Sequence, residues 1–399
     1  MQRCDALAHC TELASGLTRV YLSPAQRQAN ELVLGWMRQA GMAARIDAVG
    51  NVVGRYEGRE PGLPCLMLGS HLDTVRDAGM YDGMLGVVAA IECVQALNAE
   101  RRRLAHAVEV VGFADEEGVR FGATLLGSRA VAGTFDLAAL ERRDDTGTTM
   151  RDAMKAFGLD PEAVPRAARK RTELLAYAEL HIEQGPVLEA EGLSVGVVTA
   201  INGFSRFAVR LRGMQGHAGT VPMSLRRDAL AAAAECVLAV ERTGRSDPDL
   251  VATVGRIKAA PGAINVIPGE VEFTVDLRAP ADATRERARK ALLGEIEAIA
   301  SRRSMELRFE PLQDHAATAC APWLMDQVGR AIAAEGLPVR RLPSGAGHDG
   351  MAMREIADIA MLFVRCKGGV SHHPAESIEE ADAATATRVF GRFIEGFSR

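Results

Sequence analysis

The stretch AVEVVGFADEEG, at residues 107–118, joins the pattern of a buried strand to a run of carboxylates. Residues 107–114 are almost continuously apolar, which is typical of a strand covered on both faces. A second run of this kind, CLMLGS at residues 65–70, stops immediately before His71. Because ligands of α/β sheets bind where the strands end, we expect a functional site at the ends of these two strands.

The order of predicted elements indicates an α/β fold that is interrupted by a second domain. In the first part, helices alternate with strands, as in a mixed central sheet flanked by helices. The order then becomes β-α-β-β-α-β, which is typical of a ferredoxin-like α+β sandwich. The α/β pattern resumes after Pro322, and 399 residues are too many for one ordinary core. We predict a discontinuous catalytic domain, residues 1–204 and 322–399, with an inserted dimerisation or lid domain at residues 205–321.

Apolar periodicity predicts the individual elements. The predicted helices are at residues 24–40, 83–97, 224–242, 282–304, 323–335 and 380–397. The predicted strands are at residues 44–49, 52–56, 65–70, 107–114, 204–212, 250–258, 271–278, 305–310 and 359–364.

Composition and charge argue against several classes of protein. The net charge of −5, without a long basic block, disfavours nucleic-acid binding, which requires a basic face. No run of about 18 apolar residues occurs, so no membrane span is expected. The seven cysteines include no C-x-x-C pair, and the N-terminus has no apolar stretch of signal-peptide length. The expectation is a cytoplasmic enzyme with free thiols.

Scattered imidazoles and carboxylates, each at the end of an apolar stretch, predict a two-metal hydrolase. Such an enzyme needs nitrogen and oxygen ligands and one carboxylate that stays free to move protons. Asp73, two positions after His71, is better placed to orient that imidazole than to bind the same ion. Asp82, at the start of a predicted helix, can bridge two ions, although an ordinary helix cap gives the same sequence.

The neighbouring Glu116 and Glu117 can serve one site only if the strand ends there, and Gly118 makes such a bend easy. We assign Glu117 as a metal ligand and Glu116 as the general base. Taken alone, two loop glutamates are more often solvated, and single histidines such as His181 and His372 are more often structural. The joint pattern favours the metal site.

Five motifs, in this order along the chain, resemble the amidase/hydantoinase/carbamoylase branch of the aminoacylase-type di-metal hydrolases. They are GSHLDT at 69–74, YDG at 81–83, DEEG at 115–118, HIEQGP at 181–186 and SHHPAE at 371–376. That branch includes allantoate amidohydrolases, N-carbamoyl-L-amino acid hydrolases and β-ureidopropionases. The resemblance covers about residues 25–395.

The resemblance implies two divalent ions, zinc or manganese, and an acid/base role for Glu116. The implied ligands are His71 and His181 for one ion, Glu117 and His372 for the other, and Asp82 as the bridge. Many peptidase relatives have a carboxylate where this chain has His181. The histidine at this position therefore favours the carbamoyl-cleaving branch.

Three residues of the inserted domain are candidates for substrate binding. His217, in a glycine-flanked loop, can polarise a carbonyl oxygen, and Arg278, at the end of an alternating strand, can bind a carboxylate. An ordinary loop histidine and a surface salt bridge would give the same residues. The resemblance implies that His217, Asn265 and Arg278 reach the active site of the partner subunit in a homodimer.

The predicted substrate carries a carboxylate next to a ureido group, in a pocket completed by Gln184, Gly347 and His348. The leading hypothesis is an allantoate amidohydrolase, because EGVRFG at 117–122 and LGSR at 126–129 resemble sequences with that activity. An N-carbamoyl-L-amino acid hydrolase or β-ureidopropionase is the near alternative. A dipeptidase or N-acyl amino acid hydrolase would share the site but need room for a peptide. A non-catalytic binding protein would have no use for Glu116.

Overall fold

The computed structural model describes residues 1–399, which fall into two units. The first unit comprises Met1–Thr199, Cys320–Leu342 and Ala346–Arg399, and the second comprises Ala200–Ala319 and Pro343–Gly345. The chain therefore leaves the first unit after residue 199 and returns to it at residue 320. The predicted domain boundaries, 204/205 and 321/322, lie close to these positions.

Eleven helices and fifteen strands make up the two units. The helices are α1 (Gln2–Ala8), α2 (Pro24–Gln39), α3 (Met84–Ala99), α4 (Leu126–Ala132), α5 (Met150–Phe157), α6 (Val187–Ala190), α7 (Ala229–Gly244), α8 (Asp282–Arg302), α9 (Pro322–Ala334), α10 (Gly350–Met353) and α11 (Glu380–Gly396). The strands are β1 (Ala43–Ile46), β2 (Val52–Tyr56), β3 (Cys65–His71), β4 (Ala107–Phe113), β5 (Leu174–Ile182), β6 (Val195–Ile201), β7 (Gly203–Arg212), β8 (Gly216–His217), β9 (Val251–Ala260), β10 (Val266–Ile267), β11 (Glu270–Ala279), β12 (Glu306–His315), β13 (Thr318–Ala319), β14 (Arg341–Ser344) and β15 (Ile359–Val364).

The first unit is built on a mixed sheet with the strand order β1-β2-β4-β3-β5-β15-β6. The central strands β4, β3, β5 and β15 are parallel, and β2 and β6 pair antiparallel on either side of them. Every residue of β3, β4 and β15 is buried, so both faces of these strands are covered. One apolar cluster includes α2, α3, α9 and α11, and another includes α4 and α5. The predicted fold class is confirmed.

Helix α3 lies directly against the strands that end at the candidate site. A Cβ atom at Gly86 would be 2.1 Å from the carbonyl oxygen of Leu180, so no side chain fits between this helix and β5. A Cβ atom at Gly83, whose φ is +74°, would be 2.5 Å from the His71 ring. The two glycines therefore allow the start of the helix, and Asp82 with it, to approach the end of β3.

The second unit is a four-stranded antiparallel sheet in the order β12-β7-β11-β9, with α7 and α8 packed against it. Its β-α-β-β-α-β order is the predicted one. Cross-strand ion pairs link the sheet as well: the Glu272 carboxylate is 2.6 Å from Arg210 and 2.9 Å from Arg256.

Two elements of the second unit differ from their predicted bounds. Helix α7 begins at Ala229 and not at residue 224, because the Asp228 side chain accepts hydrogen bonds from the Leu230 and Ala231 amides and caps the helix there. Strand β12 continues to residue 315, beyond the predicted end at 310, because the register shift between Pro311 and Gln313 accommodates the proline as a bulge.

Two further findings concern the helices and the thiols. No helix combines the length and the apolar character that crossing a bilayer requires. All seven cysteines are buried and unpaired.

The contact at Gly86 predicts the effect of a single methyl group. We expect Gly86→Ala to lower the free energy of unfolding by about 2 kcal/mol, because the methyl group would push α3 away from a backbone carbonyl. Gly35→Ala in α2 is the matched control, since a Cβ atom there meets nothing within 4 Å. Helix propensity should make that variant up to about 1 kcal/mol more stable. Urea unfolding measures both, and equal midpoints would contradict the close packing.

Candidate metal centre

The residues predicted as metal ligands lie together in the first unit. The ligand atoms of His71, Asp82 and His181 lie within 4.8 Å of one another, and so do those of Asp82, Glu117 and His372. Asp82 belongs to both groups. The arrangement therefore offers two adjacent ligand sets with a single shared carboxylate.

The topology of the sheet explains why these residues meet. His71 is the last residue of β3, and His181 is the penultimate residue of β5, the parallel neighbour of β3. Glu117 follows the end of β4, which pairs with β3 on its other side. His372 comes from the loop before α11 and has a φ of +55°. Three adjacent parallel strands thus bring their carboxyl ends to one edge.

Each oxygen of Asp82 faces a different ligand set. Its Oδ1 atom is 3.3 Å from His71 Nε2 and 3.2 Å from His181 Nε2. Its Oδ2 atom is 3.3 Å from His372 Nε2, which is also 3.4 Å from Glu117 Oε1. His71 and His181 are buried, whereas the His372 side chain is 49% exposed, so the centre opens to solvent on the His372 side.

The hydrogen bonds of the two buried histidines fit a bound cation. Nδ1 of His71 lies 3.0 Å from the Asp73 carbonyl oxygen, and Nδ1 of His181 lies 2.9 Å from the Ile182 carbonyl oxygen. A carbonyl oxygen only accepts hydrogen bonds, so each Nδ1 carries a proton and Nε2 is left to bind a metal. Nε2 of His181 is buried and has no hydrogen-bond partner, although a carboxylate oxygen faces it. A divalent cation would satisfy both atoms.

The electrostatics of the centre favour positive charge at the imidazoles. Burial lowers the pKa of His71, but the carboxylates of Asp73 and Asp82 outweigh it, and the pKa is raised well above its usual value. In His181, burial lowers the pKa and the Asp82 carboxylate raises it. The carboxylate outweighs burial, so the pKa of His181 is also raised. Without an ion these rings attract protons, and bound cations would take the place of those protons.

Asp73 holds the turn that carries the two glutamates. Its carboxylate accepts hydrogen bonds from the Glu116 amide at 2.9 Å and from the Glu117 amide at 3.1 Å. The nearer contact of Asp73 with His71 is through its main-chain oxygen, since its Oδ1 atom is 3.5 Å from the imidazole Nδ1. The sequence prediction assigned the orientation of His71 to this carboxylate. The structure places both the main-chain oxygen of Asp73, at 3.0 Å, and its carboxylate, at 3.5 Å, next to His71 Nδ1.

The bend after β4 brings both glutamates to one site. Gly118 has a φ of +68°, and a Cβ atom there would be 2.7 Å from the Ala123 carbonyl oxygen. Burial and the neighbouring Glu117 raise the pKa of Glu116 well above its usual value. Burial also raises the pKa of Glu117, to about 7, against the opposing effect of His71. Glu116 is therefore a carboxyl group that takes up a proton more readily than a solvated glutamate does.

Three predicted pocket residues of the first unit have distinct positions. Gln184 Nε2 donates to Asp82 Oδ2 at 2.7 Å, from a backbone with a φ of +57°. A Cβ atom at Gly347 would be 3.5 Å from Glu116 Oε1, so this glycine lines the space beside the general base. His348 is buried, with its ring 4.5 Å from the His181 ring, and it therefore packs against a ligand histidine.

The three candidates of the inserted domain lie in the second unit. The Ala218 amide donates to the Asn265 carbonyl oxygen at 2.9 Å, which places His217 and Asn265 side by side where β8 pairs with β10. Arg278 forms two hydrogen bonds of 2.9 Å to the Asp276 carboxylate. Arg206 donates to the same carboxylate at 2.9 Å, so two guanidinium groups share one negative charge.

Sequence reasoning assigned no role to Ser371 or Glu376, although both lie within the motif that contains His372. The Ser371 hydroxyl lies 2.7 Å from Asp82 Oδ2, and the Glu376 carboxylate accepts a hydrogen bond from the Asp82 amide at 3.1 Å. In the sequence, these two residues are visible as a serine before a candidate ligand and a glutamate after it. That signal does not reveal their partner, which lies almost 300 residues earlier in the chain.

Comparisons with known proteins identify the family of this chain. Residues 67–396 match the family described as "Peptidase family M20/M25/M40". The chain is 45% identical to an N-carbamoyl-L-amino acid amidohydrolase of Geobacillus stearothermophilus, over 94% of this chain and 92% of that protein. It is 39% identical to an allantoate deiminase of Arabidopsis thaliana, over 98% of this chain and 81% of that protein.

A solved structure shows the same likeness. The crystal structure of an amidase of the hydantoinase/carbamoylase family from Burkholderia multivorans superposes with a TM-score of 0.93 at 33% identity, covering 98% of this chain and 95% of that one. The chain therefore belongs to peptidase family M20/M25/M40, a metal-dependent family, and is an amidohydrolase.

Proposed function

We propose that this protein hydrolyses the ureido C–N bond of a small substrate that carries a carboxylate. Water adds to the ureido carbonyl carbon, and one of its two C–N bonds breaks to leave a carbamate. Loss of carbon dioxide from the carbamate breaks the second C–N bond, so that ammonia, carbon dioxide and the amine are the products. The observation that carries this proposal is the position of Glu116, a half-buried carboxyl group whose ligand atom lies within 4.8 Å of those of His71 and Glu117, beside two ligand sets that share Asp82.

Two divalent ions, zinc or manganese, fit the two ligand sets. His71 and His181 would hold one ion, Glu117 and His372 the other, and Asp82 would contact both. Bound ions of this kind polarise a carbonyl group and make water a better nucleophile near neutral pH.

Glu116 supplies the proton transfers. It takes a proton from the attacking water and returns it to the nitrogen that leaves, which is the usual division of labour for one general base in amide hydrolysis. Asp73 fixes the backbone of this residue through the bond to the Glu116 amide. The absence of a side chain at Gly347 leaves space next to Glu116 Oε1 for the reacting group.

Among ureido substrates, N-carbamoyl-L-amino acids are the first candidate and allantoate is the second. Relatives named for N-carbamoyl-L-amino acids are 45%, 41% and 39% identical, and allantoate deiminases, one of them named as probable, are 39% to 42% identical. The motif that favoured allantoate has structural contacts: Arg120 donates to the Tyr21 and Leu22 carbonyl oxygens and pairs with Asp144. These contacts are with the protein itself, and the first place of N-carbamoyl-L-amino acids rests on the relative that is 45% identical.

An ammonia-release screen tests the proposed function. The purified protein, loaded with zinc or with manganese, should release ammonia from N-carbamoyl-L-amino acids and, more slowly, from allantoate. N-carbamoyl-D-amino acids, dipeptides and N-acetyl amino acids serve as controls and should react at background rates. Release of free amino acids from dipeptides, with no turnover of any ureido compound, would contradict the proposal.

The same substitution should have different effects at the two adjacent glutamates, namely loss of turnover at one and loss of a metal ion at the other. We expect Glu116→Gln to keep its bound metal and to lose at least about 100-fold in kcat, because an amide cannot accept the proton. Glu117→Gln should bind about one metal ion less per chain, since it removes an anionic ligand. Metal analysis after dialysis and steady-state kinetics distinguish the two. Full activity of Glu116→Gln would rule out its role as the base.

The three residues of the second unit support a shared active site in a homodimer. Arg206 and Arg278 share the single Asp276 carboxylate, so the three groups carry a net positive charge that would attract a substrate carboxylate. Arg278 Nη1 also donates to the Gly345 carbonyl oxygen at 2.6 Å. His217 and Asn265 are neighbours and can contact one carbonyl group together. We propose that these groups reach the active site of the partner subunit.

Mixed dimers test the shared site. Glu116→Gln and Arg278→Ala should each be nearly inactive alone, whereas a heterodimer of the two should recover about half of the wild-type activity, because one of its two sites is intact. Arg256→Ala, an arginine paired with Glu272 in the same sheet, is the matched control and should stay active. Two affinity tags isolate the heterodimer. An inactive heterodimer would show that each site is complete within one chain.

A further inference from the structure

Glu376 binds the backbone of the shared ligand from the far end of the chain. Its Oε1 atom accepts hydrogen bonds from the Tyr81 amide at 2.8 Å and from the Asp82 amide at 3.1 Å. The side chain is buried, with 4% of its surface exposed. One carboxylate oxygen thus accepts hydrogen bonds from two buried amides immediately before α3. These amides have no acceptor within their own segment.

The second oxygen of Glu376 reaches Asp82 by another route. The Ser371 hydroxyl lies 2.9 Å from Glu376 Oε2 and 2.7 Å from Asp82 Oδ2. Glu376 is therefore connected to both the main chain and the side chain of Asp82. His372 follows Ser371 directly, so the same loop carries a candidate ligand of its own.

The surrounding chain is shaped around this carboxylate. A Cβ atom at Gly79 would be 2.3 Å from Glu376 Cβ and Cδ and 2.4 Å from its Oε1 atom. Any residue larger than glycine at this position would displace Glu376. The turn before Asp82 therefore has space for the glutamate only because position 79 lacks a side chain.

We propose that Glu376 is a positioning residue that fixes the Asp82 carboxylate between the two ligand sets and joins it to the loop of His372. This inference rests on the proposed function, since it concerns the ligand that both ions would share. A glutamine can take the same place: its oxygen accepts from both amides, and its amide group donates to the Ser371 oxygen. An alanine leaves both amides without an acceptor.

Zinc binding and kinetics of matched variants test this role. In Glu376→Ala we expect the dissociation constant for zinc to rise by about 10- to 100-fold, as for other residues that orient metal ligands, and kcat to fall with little change in KM. Glu376→Gln should keep both values within about 3-fold of wild type because its hydrogen bonds persist. Competition with a chromophoric chelator measures the zinc affinity without any substrate.

Gln327→Ala is the control for general destabilisation. Gln327 is buried in α9 and binds the main chain of Ser398 at 2.7 Å and 3.1 Å, so it also joins distant segments by its side chain. This variant should lose stability and keep the zinc affinity of the wild type. Should Glu376→Ala fail to fold, Glu376→Asp replaces it, because the shorter side chain cannot reach both amides and should weaken zinc binding by about 10-fold.

The outcomes separate this inference from the proposed function. Unchanged zinc affinity and kcat in Glu376→Ala or Glu376→Asp, with an active wild type, would overturn the positioning role alone. An equal loss of zinc affinity in Gln327→Ala would also overturn it, because the effect would then reflect stability. A wild-type protein that binds neither zinc nor manganese would overturn the proposed function and the inference together.

Discussion

The geometry of the centre depends on one carboxylate that faces three imidazoles. Asp82 places one oxygen toward His71 and His181 and the other toward His372. Burial raises the pKa of this carboxyl group in itself, but the imidazoles outweigh burial and hold it well below the usual value. An anion at this depth is stable only when positive charge surrounds it. In the first unit, strand ends and loops from four distant segments surround this carboxylate. They supply positive charge or leave space for a cation.

Backbone contacts give the centre its rigidity. Both buried histidines are oriented by carbonyl oxygens, and the two glutamates are held at their amides by the Asp73 carboxylate. Main-chain groups move less than long side chains, so ligands fixed by them need little reordering when an ion binds. The more exposed His372 side completes this arrangement and is the side that is open to solvent.

Much of the fold and of the ligand set could be predicted from the sequence. The buried strands β3, β4 and β15 read as continuous apolar runs, and each candidate ligand stands at a strand end or in a loop, where periodicity breaks off. Contacts that depend on tertiary packing could not be predicted. The partner of Glu376 lies almost 300 residues away, and the hydrogen bonds of the Glu116 and Glu117 amides to the Asp73 carboxylate likewise depend on tertiary packing. Two observed boundaries also differ from the predicted ones. The Asp228 side chain caps α7 and fixes its start, and a bulge accommodates Pro311 so that β12 continues beyond it.

The glycines around Asp82 restrict how this enzyme can be redesigned. Positions 79, 83 and 86 each face a carboxylate, an imidazole ring or a backbone carbonyl at less than 3 Å from where a Cβ atom would be. Saturation libraries at these positions would yield mostly dead clones, whatever the target reaction. Altered selectivity has to be sought in residues that border the open side without touching Asp82 or Glu116.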